Sequence, residues 1–163
     1  MLDKRCSIAF YEGGDVIYTD GFQRVGENIV PFALTARVNC LTTASGKVLL
    51  AFQSQDEIQR VIYDSPIPLR LGGSAPDRAE VLEELAQIRL VRYAVADGEY
   101  DARSRGIAAP VFDDESVVAA AIGLDAPSGL SPTFVETVLA PLRAAAARAS
   151  LELGCFEEHG LLA

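Results

Sequence analysis

Two apolar runs, residues 107–112 and 117–124, are joined by the polar turn Asp113-Asp114-Glu115-Ser116. Runs of this length, rich in Val, Ile and small residues and bounded by turn residues, read as buried strands. They predict a β-hairpin at the centre of a sheet. Most of the remaining chain then covers that hairpin or builds a pocket at its end. With 163 residues the chain suits one domain with a sizeable core. The expected division is a single domain over 1–163, with a core over 7–154 and a tail over 155–163.

Charge and hydropathy narrow the function classes. Half of the residues are hydrophobic, which argues against disorder. The net charge is −9 and the fourteen Lys and Arg residues are scattered. A nucleic-acid backbone needs clustered cations, so this chain alone is not expected to grip one. No stretch approaches the roughly eighteen apolar residues of a membrane helix, and the first residues lack a signal-type apolar run. A cytoplasmic location, with no membrane partner, is the expectation. Cys6, Cys40 and Cys155 are odd in number and widely spaced, which speaks against a disulfide framework or zinc ribbon.

Taken in order, the chain opens as an antiparallel meander. Residues 7–12 form a strand, Gly13-Gly14-Asp15 a tight turn, residues 16–19 the return strand, and residues 29–38 a third extended piece. Thr42 or Thr43 then caps a short helix, whose first turn offers N–H groups beside small hydroxyls. Such a start suits a carboxylate or another acceptor-rich ligand, although seen alone the plainer reading is an ordinary capped helix packed on the sheet. Ser54-Gln55-Asp56-Glu57 reads as a capping box opening a helix to Tyr63, and Asp77 with Glu80 as another. Residues 64–76 read as a loop containing Gly72-Gly73. The helix after Asp77 buries Val81, Leu85, Ile88 and the stem of Arg92, and ends near Tyr93. A short strand over 93–95 leads to an acidic loop and then to the hairpin. After a loop over 126–130, Ser131-Pro132 starts a last helix. That helix buries Val135, Val138, Leu142, Ala145, Ala146, Ala149 and Leu153, is kinked at Pro141, and stops at Gly154.

Few constellations suggest catalysis. The one histidine, His159, sits in the tail, which makes a Ser-His-Asp triad improbable. Cys155 and His159 are four apart, but two ligands do not make a metal site. Asp97, Glu99 and Asp101 alternate and could share an edge, as hard-cation ligands or general acids; the plainer reading is a solvated acidic loop. The glycine pairs match no phosphate-binding fingerprint. No metal and no cofactor are expected.

Two segments resemble a known family. Thr43-Ala-Ser-Gly-Lys-Val-Leu-Leu-Ala51 resembles the helix-opening motif of the effector-binding domain of IclR-type transcriptional regulators. Arg105-Gly-Ile-Ala-Ala-Pro-Val-Phe-Asp113 resembles that domain's central strand. The spacing between them, the Leu85-Ala-Gln-Ile-Arg89 helix and the closing Ala-rich helix fit as well, so the resemblance covers about 7–154. It implies an α+β, GAF-like fold, with an antiparallel sheet and helices on its faces. It implies a non-catalytic pocket for a small organic effector, a homodimer or tetramer, and operator DNA bound through a winged helix-turn-helix that is absent from this chain.

Carried over by motif, the effector-binding positions are Ala44, Ser45, Ala96, Ser104, Gly106, Gly123 and Asp125. Several depart from the family pattern. An acidic residue is often found at the place of Ala96, and a Cys or Ser at that of Gly106. A Ser-x-Ser is replaced by Gly123-Leu124-Asp125, and a Gly by Arg103. Small side chains at 44, 96, 106 and 123 predict a roomy pocket, and Asp125 adds negative charge at its rim. Unless Arg103 or Arg105 neutralises that charge, a simple anion is disfavoured and an aromatic or neutral polar effector is expected. Two other readings stand beside this one. One is a GAF-like enzyme of the sulfoxide reductase type using Cys40; the other is a ligand-free dimerisation module.

Overall fold

The computed structural model describes residues 5–25, 28–32, 37–64, 66–68, 75–127 and 133–156. Strands β1 (Arg5–Glu12), β2 (Asp15–Val25), β3 (Asn28–Phe32) and β4 (Arg37–Asn39) come first. A 3₁₀ turn (Cys40–Thr42) leads into helices α1 (Ala44–Ala51), α2 (Gln55–Tyr63) and α3 (Arg78–Val91). Strands β5 (Ala94–Asp97), β6 (Ser104–Phe112) and β7 (Val118–Pro127) follow, and α4 (Thr133–Glu152) closes the order. The sheet runs β3-β2-β1-β7-β6-β5, with β4 also on β2, and its pairings are antiparallel. This is the expected α+β architecture, and the anticipated hairpin is β6–β7, with β7 between β1 and β6.

Local chemistry explains the turns. Gly13 and Gly14 both have positive φ, 58° and 95°, as a two-residue hairpin turn between twisted strands requires. In the β6–β7 turn, Asp113 Oδ1 accepts from the amides of Glu115 and Val117 at 3.0 and 2.9 Å. The return strand proves much longer than the expected 16–19. The predicted extended piece over 29–38 is represented by β3 and β4, which pair with the two ends of β2.

Each face of the sheet has its own core. On β6, Ile107, Ala109 and Val111 join Val138, Leu142 and Ala146 of α4. Ala108 and Phe112 face the other way and join the cluster that includes Val48 of α1 and Leu85 of α3. A strand covered on both faces has no position left for water-facing polar residues, and β6 is accordingly buried from Gly106 to Phe112.

The helix caps divide into expected and unexpected. Asp77 and Glu80 form the full reciprocal capping box of α3. Ser54 caps α2, accepting from the Glu57 amide at 3.2 Å, but the Glu57 carboxylate is taken by Tyr11 and Arg60 instead. α3 stops at Val91, with Arg92 as a left-handed cap at φ 57° and its guanidinium 5.4 Å from the centroid of the Phe112 ring. The C-terminal end of α4 is a Schellman turn. There Cys155 N donates to Ser150 O at 2.9 Å and Gly154 N, at φ 87°, donates to Leu151 O at 3.0 Å.

The buried stripe of α4 is rotated from the expected one. Phe134, Val138, Leu142, Ala146 and Ser150 are buried, whereas Ala145 and Leu153 are exposed and Val135 and Ala149 half-buried. Alanines on several sides of this helix give little rotational preference. The Ser150 hydroxyl settles the matter, accepting from Phe112 N at 2.9 Å and donating to Ala146 O at 2.9 Å. The Gly72-Gly73 turn, the Ser131-Pro132 helix start and His159 lie outside the described residues.

Candidate functional site

The site is built on two cross-strand rows. Residues directly opposite one another on neighbouring strands point to the same face. The register aligns Arg5 with Asp125, Asp125 with Gly106, and Gly106 with Ala96, one row across β1, β7, β6 and β5. The next row is Ser7, Gly123, Ala108 and Ala94. The small residues Gly106 and Ala96 of the first row, and all four of the second, let α1 approach the sheet with its N-terminal end over this region.

The start of α1 is held firmly. Thr43 is its cap, accepting from Gly46 N at 3.1 Å. Asn39 caps the preceding 3₁₀ turn, accepting from Leu41 N at 2.9 Å. Tyr18, projecting inward from β2, has its phenol beside the side chains of Thr43 and Ser45. Burial, above all, raises its phenol above the usual range, so it stays protonated and can both donate and accept.

Between the first row and the start of α1 lies a cavity of about 200 Å³. Its floor includes Arg5, Asp125, Gly106 and Ala96, and its roof Thr42, Thr43 and Ala44. Tyr18 and Val38 close one side; Glu99, Tyr100 and Asp101 of the β5–β6 connection, with Ser104 at the start of β6, close another. Five of the seven expected residues, Ala44, Ala96, Ser104, Gly106 and Asp125, therefore line a common space.

Ser45 and Gly123 do not line it. A Cβ on Gly123 would stand 2.6 Å from Ser45 Oγ and 3.3 Å from Ser7 Oγ, so those hydroxyls already fill the room the missing side chain leaves. The expectation that Gly123 enlarges the pocket is corrected accordingly. Gly106 offers less room than expected as well, because Asp125 Oδ1 would lie 2.9 Å from a Cβ there. That contact is with the tip of a side chain. Gly106→Ala is therefore expected to displace the Asp125 carboxylate at a stability cost of about 1 kcal/mol or less, with unchanged circular dichroism but altered ligand affinity.

The electrostatics of Asp125 come mainly from burial. Desolvation pushes its carboxyl up to about 6, and Arg5 opposes that rise. The two arginines that could have neutralised it have carboxylate partners elsewhere. Arg103 pairs with Asp101 at 3.4 Å, and Arg105 pairs with Asp97.

The alternating carboxylates are separated in the same way. Asp97 goes to Arg105 and Asp101 to Arg103, while Glu99 meets Lys47 Nζ at 2.6 Å. Lys47 also reaches Glu84 Oε1 of α3 at 2.7 Å and is only 2% exposed. This ion triad ties the cavity wall at Glu99 to α1 and α3. No group of three or more candidate metal ligands occurs among the described residues.

Cys40, just before the Thr42–Thr43 roof, is fully buried and pushed up to about 12, chiefly by desolvation. Such a thiol is a poor nucleophile near neutral pH.

Arg5, Tyr18, Val38 and Tyr100 had no distinguishing signal in the sequence. Their place in the site follows from strand register and loop path. Glu99 was visible as an acidic residue, but its partner Lys47 was not.

Comparison with known proteins adds to this geometry. The family model described as "Bacterial transcriptional regulator IclR C-terminal" matches residues 1–151. The chain is 30% identical over 129 residues to the HTH-type transcriptional regulator KdgR of Escherichia coli K12, covering 78% of this chain and 49% of that protein. It is 28% identical over 126 residues to the Cupriavidus necator protein SauR, covering 77% and 50%. Among solved structures, an IclR homologue from Microbacterium hydrocarbonoxydans complexed with 4-hydroxybenzoate superposes with a TM-score of 0.78 at 26% identity. That match covers 91% of this chain and 60% of the other. The chain thus spans about half the length of the curated relatives it matches.

Proposed function

We propose a function from one premise: the chain belongs to the family of IclR C-terminal domains of bacterial transcriptional regulators. In our reading, the cavity at the start of α1 holds a small organic effector. Ala44, Ala96, Ser104, Gly106 and Asp125 face it, while Ser45 and Gly123 set how closely α1 sits on the sheet. The observation that carries this reading is the cavity of about 200 Å³ under the Thr43-capped helix. An apolar cavity of about 150 Å³ can hold a benzene, so one aromatic ring fits. The 4-hydroxybenzoate held by the Microbacterium homologue supports an aromatic effector.

Binding transmits a signal only if it favours one arrangement of the assembly over another. The arrangement at stake is that of a homodimer or tetramer whose DNA-binding halves are separate from these residues. Exposed Ile8, Phe10 and Phe22 on β1 and β2 support such association. One domain over 1–163 then acts as sensor, in the cytoplasm beside the operator, with no catalytic step. Burial of Cys40 weighs against the thiol-enzyme alternative.

A thermal-shift screen of the chain against short organic acids, aromatic acids, phenols and sugar acids tests the reading. A ligand at one hundred times its Kd adds about 2.7 kcal/mol, or roughly 5–10 °C at this size. At least one saturable shift of that order is expected. A silent panel, with an oligomer still present by light scattering, would favour the interaction module instead.

A further inference from the structure

Resting on the effector-domain reading above, we propose that Asp125 determines the ligand class. It accepts from a donor group of the effector, an ammonium or a hydroxyl, and admits a carboxylate only together with a proton.

The geometry argues for this directly. Asp125 lies in the cavity floor, and both its Oδ1, at 2.9 Å, and the Ala44 methyl at the start of α1, at 3.5 Å, border the place a Cβ on Gly106 would take. That helix start is where the polarity of the backbone would otherwise receive an effector's carboxylate. The protein's own carboxylate already stands beside that place.

Arg5, across from Asp125 on β1, offsets its charge only in part, because burial outweighs that attraction. Among the described residues, three that line the cavity are acidic and one, Arg5, is basic. Glu99 is engaged by Lys47 and Asp101 by Arg103, so these carboxylates have cations of their own. Facing Asp125 are Arg5 from β1, Tyr18 from β2, and the Glu99–Asp101 segment with Tyr100 from the β5–β6 connection. Nothing titratable faces it from the start of α1, where Thr42, Thr43 and Ala44 form the roof. A second anion placed here would meet Asp125 in a poorly solvated space, where like charges cannot both persist. An ammonium or hydroxyl instead finds an acceptor. Burial already favours the protonated form of Asp125, which makes uptake of one proton the accessible route for a carboxylate.

The test is calorimetric titration of the whole chain with three probes of one shape: 4-hydroxybenzoate, 4-hydroxybenzyl alcohol and 4-hydroxybenzylamine, from pH 5 to 8. The benzoate Kd should weaken about tenfold per pH unit above pH 6. The alcohol should show little dependence. The amine should bind best at the alkaline end. Asp125→Asn should flatten the benzoate slope and cost the amine its advantage, and Asp125→Ser should do the same if the Asn variant folds poorly.

A benzoate Kd constant from pH 5 to 8 overturns the proposal while leaving the effector reading intact. A slope that survives in both variants puts the proton on the ligand and also overturns it. Silence of all three probes overturns it too. The effector reading itself then stands or falls on whether the broader panel gives a shift.

Discussion

Replacing Lys47 by alanine is expected to remove about 3 kcal/mol of stability, measured as a fall in the urea midpoint at pH 7 with an unchanged slope. Lys47 Nζ lies 2.7 Å from Glu84 and 2.6 Å from Glu99, and its side chain is withdrawn from water. Such a group stabilises less by its attraction than it destabilises when removed, because its partners are then left as uncompensated charges. Glu99 is 13% exposed and Glu84 30%, so both can recover some hydration. That access places the loss at the lower end of the usual 3–5 kcal/mol. Combining Lys47→Met with Glu84→Gln and Glu99→Gln removes all three charges and should cost less than Lys47→Ala alone. A loss under about 1 kcal/mol for Lys47→Ala would mean that the triad acts as a surface ion pair. Since Glu99 walls the cavity, ligand affinity should fall with Lys47→Ala as well.

Gly46→Ala is expected to cost about 3 kcal/mol or more, beyond ordinary overpacking. Two effects compete. Alanine favours a helix over glycine by about 1 kcal/mol, and Gly46 lies inside α1. Against this, a Cβ there would press on the Cys40 carbonyl oxygen and stand 2.5 Å from Cys40 Cα and 2.8 Å from its carbonyl carbon. These are backbone atoms in a 3₁₀ turn, and Cys40 N is itself bonded to Gly14 O at 3.0 Å. They cannot swing aside as a side-chain tip can, so the clash wins. The variant should melt far below the parent, or α1 should lift from the sheet and open the cavity. An unchanged melting temperature would show that this turn yields easily.

Both substitutions act on the seat of α1, and so bear on function. The helix start roofs the cavity, Gly46 sets how close it comes, and Lys47 fastens it to the wall at Glu99. A site for a small effector needs such a frame, because the affinity difference between two states must be carried by parts that move together.

Much of the frame was legible in the residues. The turn at 113–116 and the apolar runs beside it determined the β6–β7 hairpin, and Gly13-Gly14 the first turn. Thr43, Asp77 and Glu80 marked helix starts, because a cap is satisfied within three or four residues. That Ala44, Ala96, Ser104, Gly106 and Asp125 share one space was implied by the family resemblance, not by the residues taken alone. The stripe on α4 was less legible, because its alanines suit either side and the Ser150–Phe112 bond spans 38 residues.

Short-range chemistry thus determined which segments are strands and helices and where they begin. Tertiary structure decided which distant groups meet. Arg5 faces Asp125 because β1 pairs with β7 in one register, and a shift of one residue would turn Arg5 to the other face of the sheet. Lys47 is buried between Glu84 and Glu99 because α3 and the β5–β6 connection converge on α1. Gly123 adds no room because the Ser45 and Ser7 hydroxyls close over it. Each of these depends on how the layers close, and no local run of residues carries that information.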